Sequence, residues 1–236
     1  MAKVNDDTFT RSRVMGELES MGKPNTAKTY GRHGVTGETF GVSYADLGDL
    51  HKRIGTNHAL ALELWKSKVH DAQVLATKVA DSETMTKAEI NGWVKDAGNY
   101  VITDAISALA ARMKAGLELS LKWIDSKDEW TSAAGWGAIS VLAMNGALDV
   151  PTARQLLKRI VRDIHSAKNR TRHTMNSALI AIGGAMDELR EEAIAAARSI
   201  GKVEVDHGET GCETPDAIAY IQRMAARPKR KRSTPR

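Results

Sequence analysis

The stretch LKWIDSKDEWTSAAGWGAISVLA, residues 121–143, decides how the chain folds. A helix closes on the bulky Trp123, a short polar turn IDSKDE follows, and an Ala-rich helix begins. Alanine is the strongest helix former, and small side chains let neighbouring helices approach closely. The same arrangement recurs on both sides. Trp65 leads through KSKVHD into AQVLATKVA, Trp93 through VKDAGN into YVITDAISALA, and Ile164 through HSAKNRTR into HTMNSALIAIGGA.

Repeated helix–turn–helix units with irregular spacing are the mark of a HEAT-like stack, in which each pair buries its apolar face against the next. The expected fold is therefore all-α, a curved α-solenoid of HEAT-like antiparallel helix pairs. Residues 1–227 are expected to form one domain, followed by a disordered basic tail at 228–236. Helices are expected at 7–21, at 44–54 after a Ser43 cap and before Gly55, and after an Asn57 cap. Others are expected near 70–81, 86–96, 99–115, 117–126, 129–144, 151–167, 172–183, 186–200 and 215–227, the last with Pro215 at its first position. The Gly-rich segment 23–42 reads as a surface loop, because it lacks the Gly–Lys–Ser/Thr ending of a phosphate cradle. A short strand at 203–205 is the one competing pattern.

No apolar run approaches the ~20 residues of a membrane span, and the polar start MAKVNDDTFT has no apolar signal segment. One cysteine, Cys212, excludes an internal disulfide and fits a cytoplasmic setting. The formal charge is +5, but Arg227, Lys229, Arg230, Lys231, Arg232 and Arg236 carry six positive charges, so the body stands at about −1. Net charge thus says little about the folded part. The distribution says more. Leu156, Leu157, Ile160, Val161 and Ile164 mark a buried stripe, and Arg154, Lys158 and Arg162 form a ridge beside it at a spacing of four. Lys168, Arg170 and Arg172 follow in the next turn, where a helix N-terminus adds its own attraction for phosphate. These six residues are the expected DNA-binding set.

Several stretches resemble one family. FGVSYADLGDLHKRI, ALELWKSKVHDAQVLATKVAD, LKWIDSKDEWTSAAGWGAISVLA, RTRHTMNSALIAIGGAM and GKVEVDHGETGCETPDAIAYIQ look like an uncharacterised branch of the DNA alkylation-repair proteins with HEAT-like repeats, the AlkD-type DNA glycosylases. The resemblance covers about residues 35–225. It implies a monomer that lays duplex DNA across its concave face and excises N3- or N7-alkylated purines without metal, small-molecule cofactor or membrane. The alternatives are a non-catalytic duplex-binding member and a protein-binding helical scaffold.

The family sets a Trp and, four residues later, an Asp on one helix. Here the residue four after Trp93 is Ala97, whereas Asp96 lies three after it on the same face. Trp93 and Asp96 are accordingly the expected aromatic wall and catalytic carboxylate, with Asp104 as the competing carboxylate. The family's second Trp has no counterpart in MNSALIAIG, and its Arg after Trp130 is replaced by Ser132 and Ala133. His207 and Cys212 are too few for a zinc site. His70 and Asp71 read as capping or surface residues of a turn.

Overall fold

The computed structural model describes residues 9–226, and the basic tail at 228–236 lies outside them. Thirteen α-helices and no strand occur among the described residues. They are α1 (Arg11–Met21), α2 (Pro24–Arg32), α3 (Tyr44–Ile54), α4 (His58–Lys66), α5 (His70–Val79), α6 (Lys87–Lys95), α7 (Tyr100–Ala110), α8 (Gly116–Trp123), α9 (Glu129–Met144), α10 (Val150–Asp163), α11 (Asn169–Ala185), α12 (Arg190–Ile200) and α13 (Ala217–Ala225). None is long and apolar enough to cross a membrane.

The helices stack as antiparallel pairs in two layers. In the inner layer, α5, α7, α9, α11 and α13 form an unbroken series of neighbours, with α3 against α5. In the outer layer α4, α6, α8 and α10 barely touch in sequence, and only α10 and α12 pack together. A layer packed tightly on one side and splayed on the other must curve, with the tight layer concave. Small residues of α9 allow the tight side. A Cβ on Gly135 would meet the Ser120 carbonyl at 2.9 Å, and one on Gly137 would meet Ser107 Oγ at 2.6 Å. The recurring tryptophans close the ends of the outer helices α4, α6 and α8. Trp65 lies flat on Trp93 with centroids 4.2 Å apart, and Trp123 Nε1 donates to Asn91 Oδ1 at 2.7 Å.

Ser43 and Asn57 cap their helices as expected, accepting from the amides of Asp46 (3.2 Å) and Leu60 (3.0 Å). Four expectations need correction. Segment 23–42 is not all loop: Pro24 starts α2, whose buried Tyr30 donates its hydroxyl to the Val42 carbonyl at 2.5 Å. Helix α11 begins at Asn169, so Arg170 and Arg172 stand in its first turn rather than before it. Helix α13 starts after an Asp216 cap, whose Oδ1 accepts from Ala219 N at 2.7 Å, and not at Pro215. Residues 203–205 form no strand.

His70 and Asp71 are the fifth departure. Both are buried at the start of α5. Asp71 accepts from Phe40 N (2.7 Å), Val42 N (2.8 Å) and Thr39 Oγ1 (2.8 Å), which ties the Gly-rich segment onto the inner layer.

Candidate nucleic-acid interface

The inner helices run parallel, so their N-termini share one edge of the concave face. Arg170, in the first turn of α11, donates its backbone N–H to Glu129 at the start of α9 (2.6 Å). Its Nη2 reaches both Asp104 oxygens at 2.7 Å, and its guanidinium carbon stands 4.8 Å from the centre of the Tyr100 ring. Tyr100 and Asp104 are four residues apart on α7 and therefore share a face. The Tyr100 hydroxyl is hydrogen-bonded to His33 Nδ1. The Asp104 side chain is half exposed, with protein packed around the rest of it. Desolvation by that protein raises its carboxyl pKa and outweighs the lowering by Arg170.

From this edge a groove of about 680 Å³ runs between α3, α5 and α7. Tyr44, Tyr100 and Asp104 line one end, and His51, Lys78, Asp81 and Arg112 the other. Burial is the one cause that lowers the Arg112 pKa. Its guanidinium donates only to neutral carbonyls, those of Thr77 and Ala108, both at 3.2 Å. Among the described residues neither Arg112 nor Lys78 forms an ion pair. Burial lowers the pKa of His51, and Lys78 and Arg112 lower it further, which reports a positive field at this end.

The expected residues occupy other places. Arg154 lies on α10 of the outer layer and clamps Glu192 of α12 through Nε and Nη2 at 2.8–3.0 Å. Lys158 lies near the same carboxylate, and Arg162 pairs with Asp163 at 2.6 Å. This ridge therefore faces away from the concavity with much of its charge already matched. Lys168 is exposed at the N-cap of α11. Arg172 donates to the carbonyls of Glu204 (2.8 Å), Ala167 (2.9 Å) and His165 (3.2 Å), anchoring segment 201–216. Of the six, Arg170 is the one in contact with the groove-lining residues Tyr100 and Asp104.

Trp93 is buried under Trp65 at the end of α6, and Asp96 caps that helix. The Asp96 carboxylate accepts from Trp65 Nε1 at 3.0 Å and Lys68 Nζ at 2.5 Å. Burial pushes its pKa up, but these two hydrogen bonds outweigh burial and hold it below the usual carboxylate range. The pair belongs to an outer-helix end and does not line the groove. Sequence reasoning missed Tyr44, His51, Lys78 and Arg112, which come from α3, α5 and the turn after α7. Tyr100 and Asp104 carried a readable signal, the family's spacing of four with Tyr in place of Trp.

His173, behind Arg170, is expected to make stability pH-dependent. Burial pulls its pKa from 6.5 down to about 4, helped by Arg170 and His207, so the ring is neutral in the fold. The unfolded chain binds this proton near pH 6.5. The contribution is therefore whole above that pH and is lost as the pH falls towards 4, by about 2 kcal/mol. Urea midpoints at pH 7 and about pH 4.5 should converge in His173→Gln relative to wild type, and equal slopes in both would reject the assignment.

The helix stack agrees with what this chain is similar to. A family described as DNA alkylation repair enzyme matches residues 14–221. An uncharacterised protein of Listeria innocua is 33% identical over 226 residues, covering 93% of this chain and 99% of its own. Another, from Listeria monocytogenes, is 31% identical over 228 residues, covering 94% and 100%. A solved structure superposes with a TM-score of 0.85 at 28% identity, over 91% of this chain and 93% of the other. That protein is described as belonging to a new family related to the HEAT-like repeat DNA glycosylases, with affinity for branched DNA structures. With its two-layered stack of helix pairs, this chain belongs to the DNA alkylation repair enzyme family.

Proposed function

We propose that this protein binds DNA on its concave face and that binding, rather than base excision, is its principal activity. The observation that carries this is the distribution of unmatched charge. Lys78 and Arg112 face the concavity without carboxylate partners, whereas Arg154 and Arg162 on the outer layer have theirs. A partly desolvated guanidinium satisfied only by carbonyls is stabilised when a phosphate arrives. The relative with affinity for branched DNA supports the choice of partner. In this reading residues 1–227 act as one domain and as a monomer in the cytoplasm, and the tail 228–236 adds salt-sensitive, sequence-blind attraction.

Excision of N3- or N7-alkylated purines is the second reading, favoured by the Tyr100–Asp104 pair. Cleavage of the glycosidic bond leaves a cationic sugar, which a carboxylate stabilises electrostatically. Asp104 stands at the groove beside an aromatic ring, as that chemistry requires. Its charge is shared with Arg170, which weakens it for this task unless the bound DNA draws Arg170 away to a phosphate. Asp96, with Trp93 beside it, is the alternative carboxylate and is already held by Lys68 and Trp65.

Titration of labelled duplex and three-way-junction DNA at two salt concentrations tests the first reading. Affinity that falls steeply with salt is expected, and no binding to either form at low salt rejects it. Release of methylated base from N3- and N7-methylated duplex tests the second. Any release should fall by on the order of 10²-fold in Asp104→Asn. Release that survives Asp104→Asn and disappears in Asp96→Asn would move the chemistry to the Trp93 end.

A further inference from the structure

We infer that the groove between α3, α5 and α7 seats a short unpaired strand at a DNA branch, with a base on the Tyr44 ring and phosphates on Lys78 and Arg112. This rests on the DNA-binding reading and adds the form of DNA the groove takes.

Three independent features of the groove converge. The first is its size: about 680 Å³ lies within the range of sites for nucleotide-sized ligands and is far too small for a duplex. The second is a half-exposed aromatic, whose one ring contact among the described residues is the edge-on one with Tyr30. Tyr44 is 49% exposed and lines the groove. It is also braced on one side. Tyr30 meets it edge-on at 6.0 Å, His70 braces Tyr30 at 5.3 Å, and the Tyr30 hydroxyl is fixed on the Val42 carbonyl. A braced, half-exposed ring is a stacking platform, and a paired duplex has no free base face to offer it.

The third is charge. Lys78 and Arg112 outnumber the single carboxylate at that end, Asp81, and only two of the five Arg112 donors are engaged, both on carbonyls. Ring and cations lie at opposite ends. Tyr44 and His51 are seven residues apart on α3, a rise of about 10 Å, so the base and the phosphates it meets belong to neighbouring nucleotides of one strand. A cationic track with an aromatic step is how proteins hold single strands without reading their sequence. Duplex binding alone explains the cations but not the ring.

The test uses a forked duplex with two unpaired nucleotides at the branch, one of them 2-aminopurine, whose fluorescence is quenched by stacking. Wild type should quench it and bind the fork about tenfold more tightly than the matched duplex. Tyr44→Leu, which keeps apolar packing against Tyr30 but removes the aromatic ring, should lose both the quenching and the preference for the fork over the duplex. Tyr44→Trp should retain them, with thermal melts confirming that both variants fold. Equal quenching by wild type and Tyr44→Leu, or equal affinity for fork and duplex, overturns the assignment but spares the DNA-binding reading. Failure to bind either form removes both.

Discussion

Reversing Lys78 and Arg112 to glutamate should lower DNA affinity by on the order of 10²-fold or more at low salt. Each reversal removes a phosphate contact and adds a like charge beside the backbone. The neutral double variant Lys78→Gln, Arg112→Gln should bind more weakly than wild type and reduce the slope of log K against log salt by about 2. Reversing Arg154, Lys158 and Arg162 together adds more negative charge in total, yet should cost much less. Two of those residues already face carboxylates, on a layer turned away from the concavity. Anisotropy titrations of the two reversed proteins against one duplex decide the matter. A larger loss from the α10 ridge would place DNA on the outer layer.

Replacing Asp71 by alanine should destabilise the fold by about 3–5 kcal/mol, because one buried and two partly buried donors lose their only described acceptor. For a chain of this size that lowers the melting temperature by about 10 °C. The loop it holds has little room to adapt. Gly41 adopts φ +75°, and a Cβ there would meet the Lys23 carbonyl at 2.4 Å and Ala27 N at 2.6 Å. Asp71→Asn, which keeps one acceptor oxygen, should melt between the two. Circular dichroism melts measure this, and an alanine variant within about 2 °C of wild type would show that other contacts hold the loop. The effect should reach the groove, since Val42 and Ser43 lead directly into Tyr44.

Much of the fold was legible because its causes are local. Helix caps at Ser43 and Asn57 and the bulky residue before each polar turn act within a few positions. The short helix α2 announced itself only by Pro24, and four glycines at 31, 34, 37 and 41 masked it. The site was less legible because charge is settled at a distance. The run from Arg154 to Arg162 is conspicuous in sequence, but Glu192 lies 38 residues from Arg154. Trp93 and Asp96 are neighbours on paper, yet the groups that occupy Asp96 stand 31 and 28 residues earlier. The groove shows the reverse. His51, Lys78 and Arg112 come singly from α3, α5 and the end of α7, so no window of sequence contains them together. Arg170 and Asp104 are 66 residues apart.

Helix α9 is shared between two buried clusters. Ala134 and Ala138 belong to the one built from α1 and α3–α8, while Trp136, Ile139, Leu142 and Ala143 belong to the one built with α10–α13. During synthesis on the ribosome, the first cluster can close as soon as α9 has emerged, while α10 is still inside the exit tunnel. The groove residues Tyr44, His51, Lys78 and Arg112 all precede α9, so the strand-binding surface takes shape on a nascent chain. Arg170 arrives only with the second half, and until then Asp104 lacks its partner.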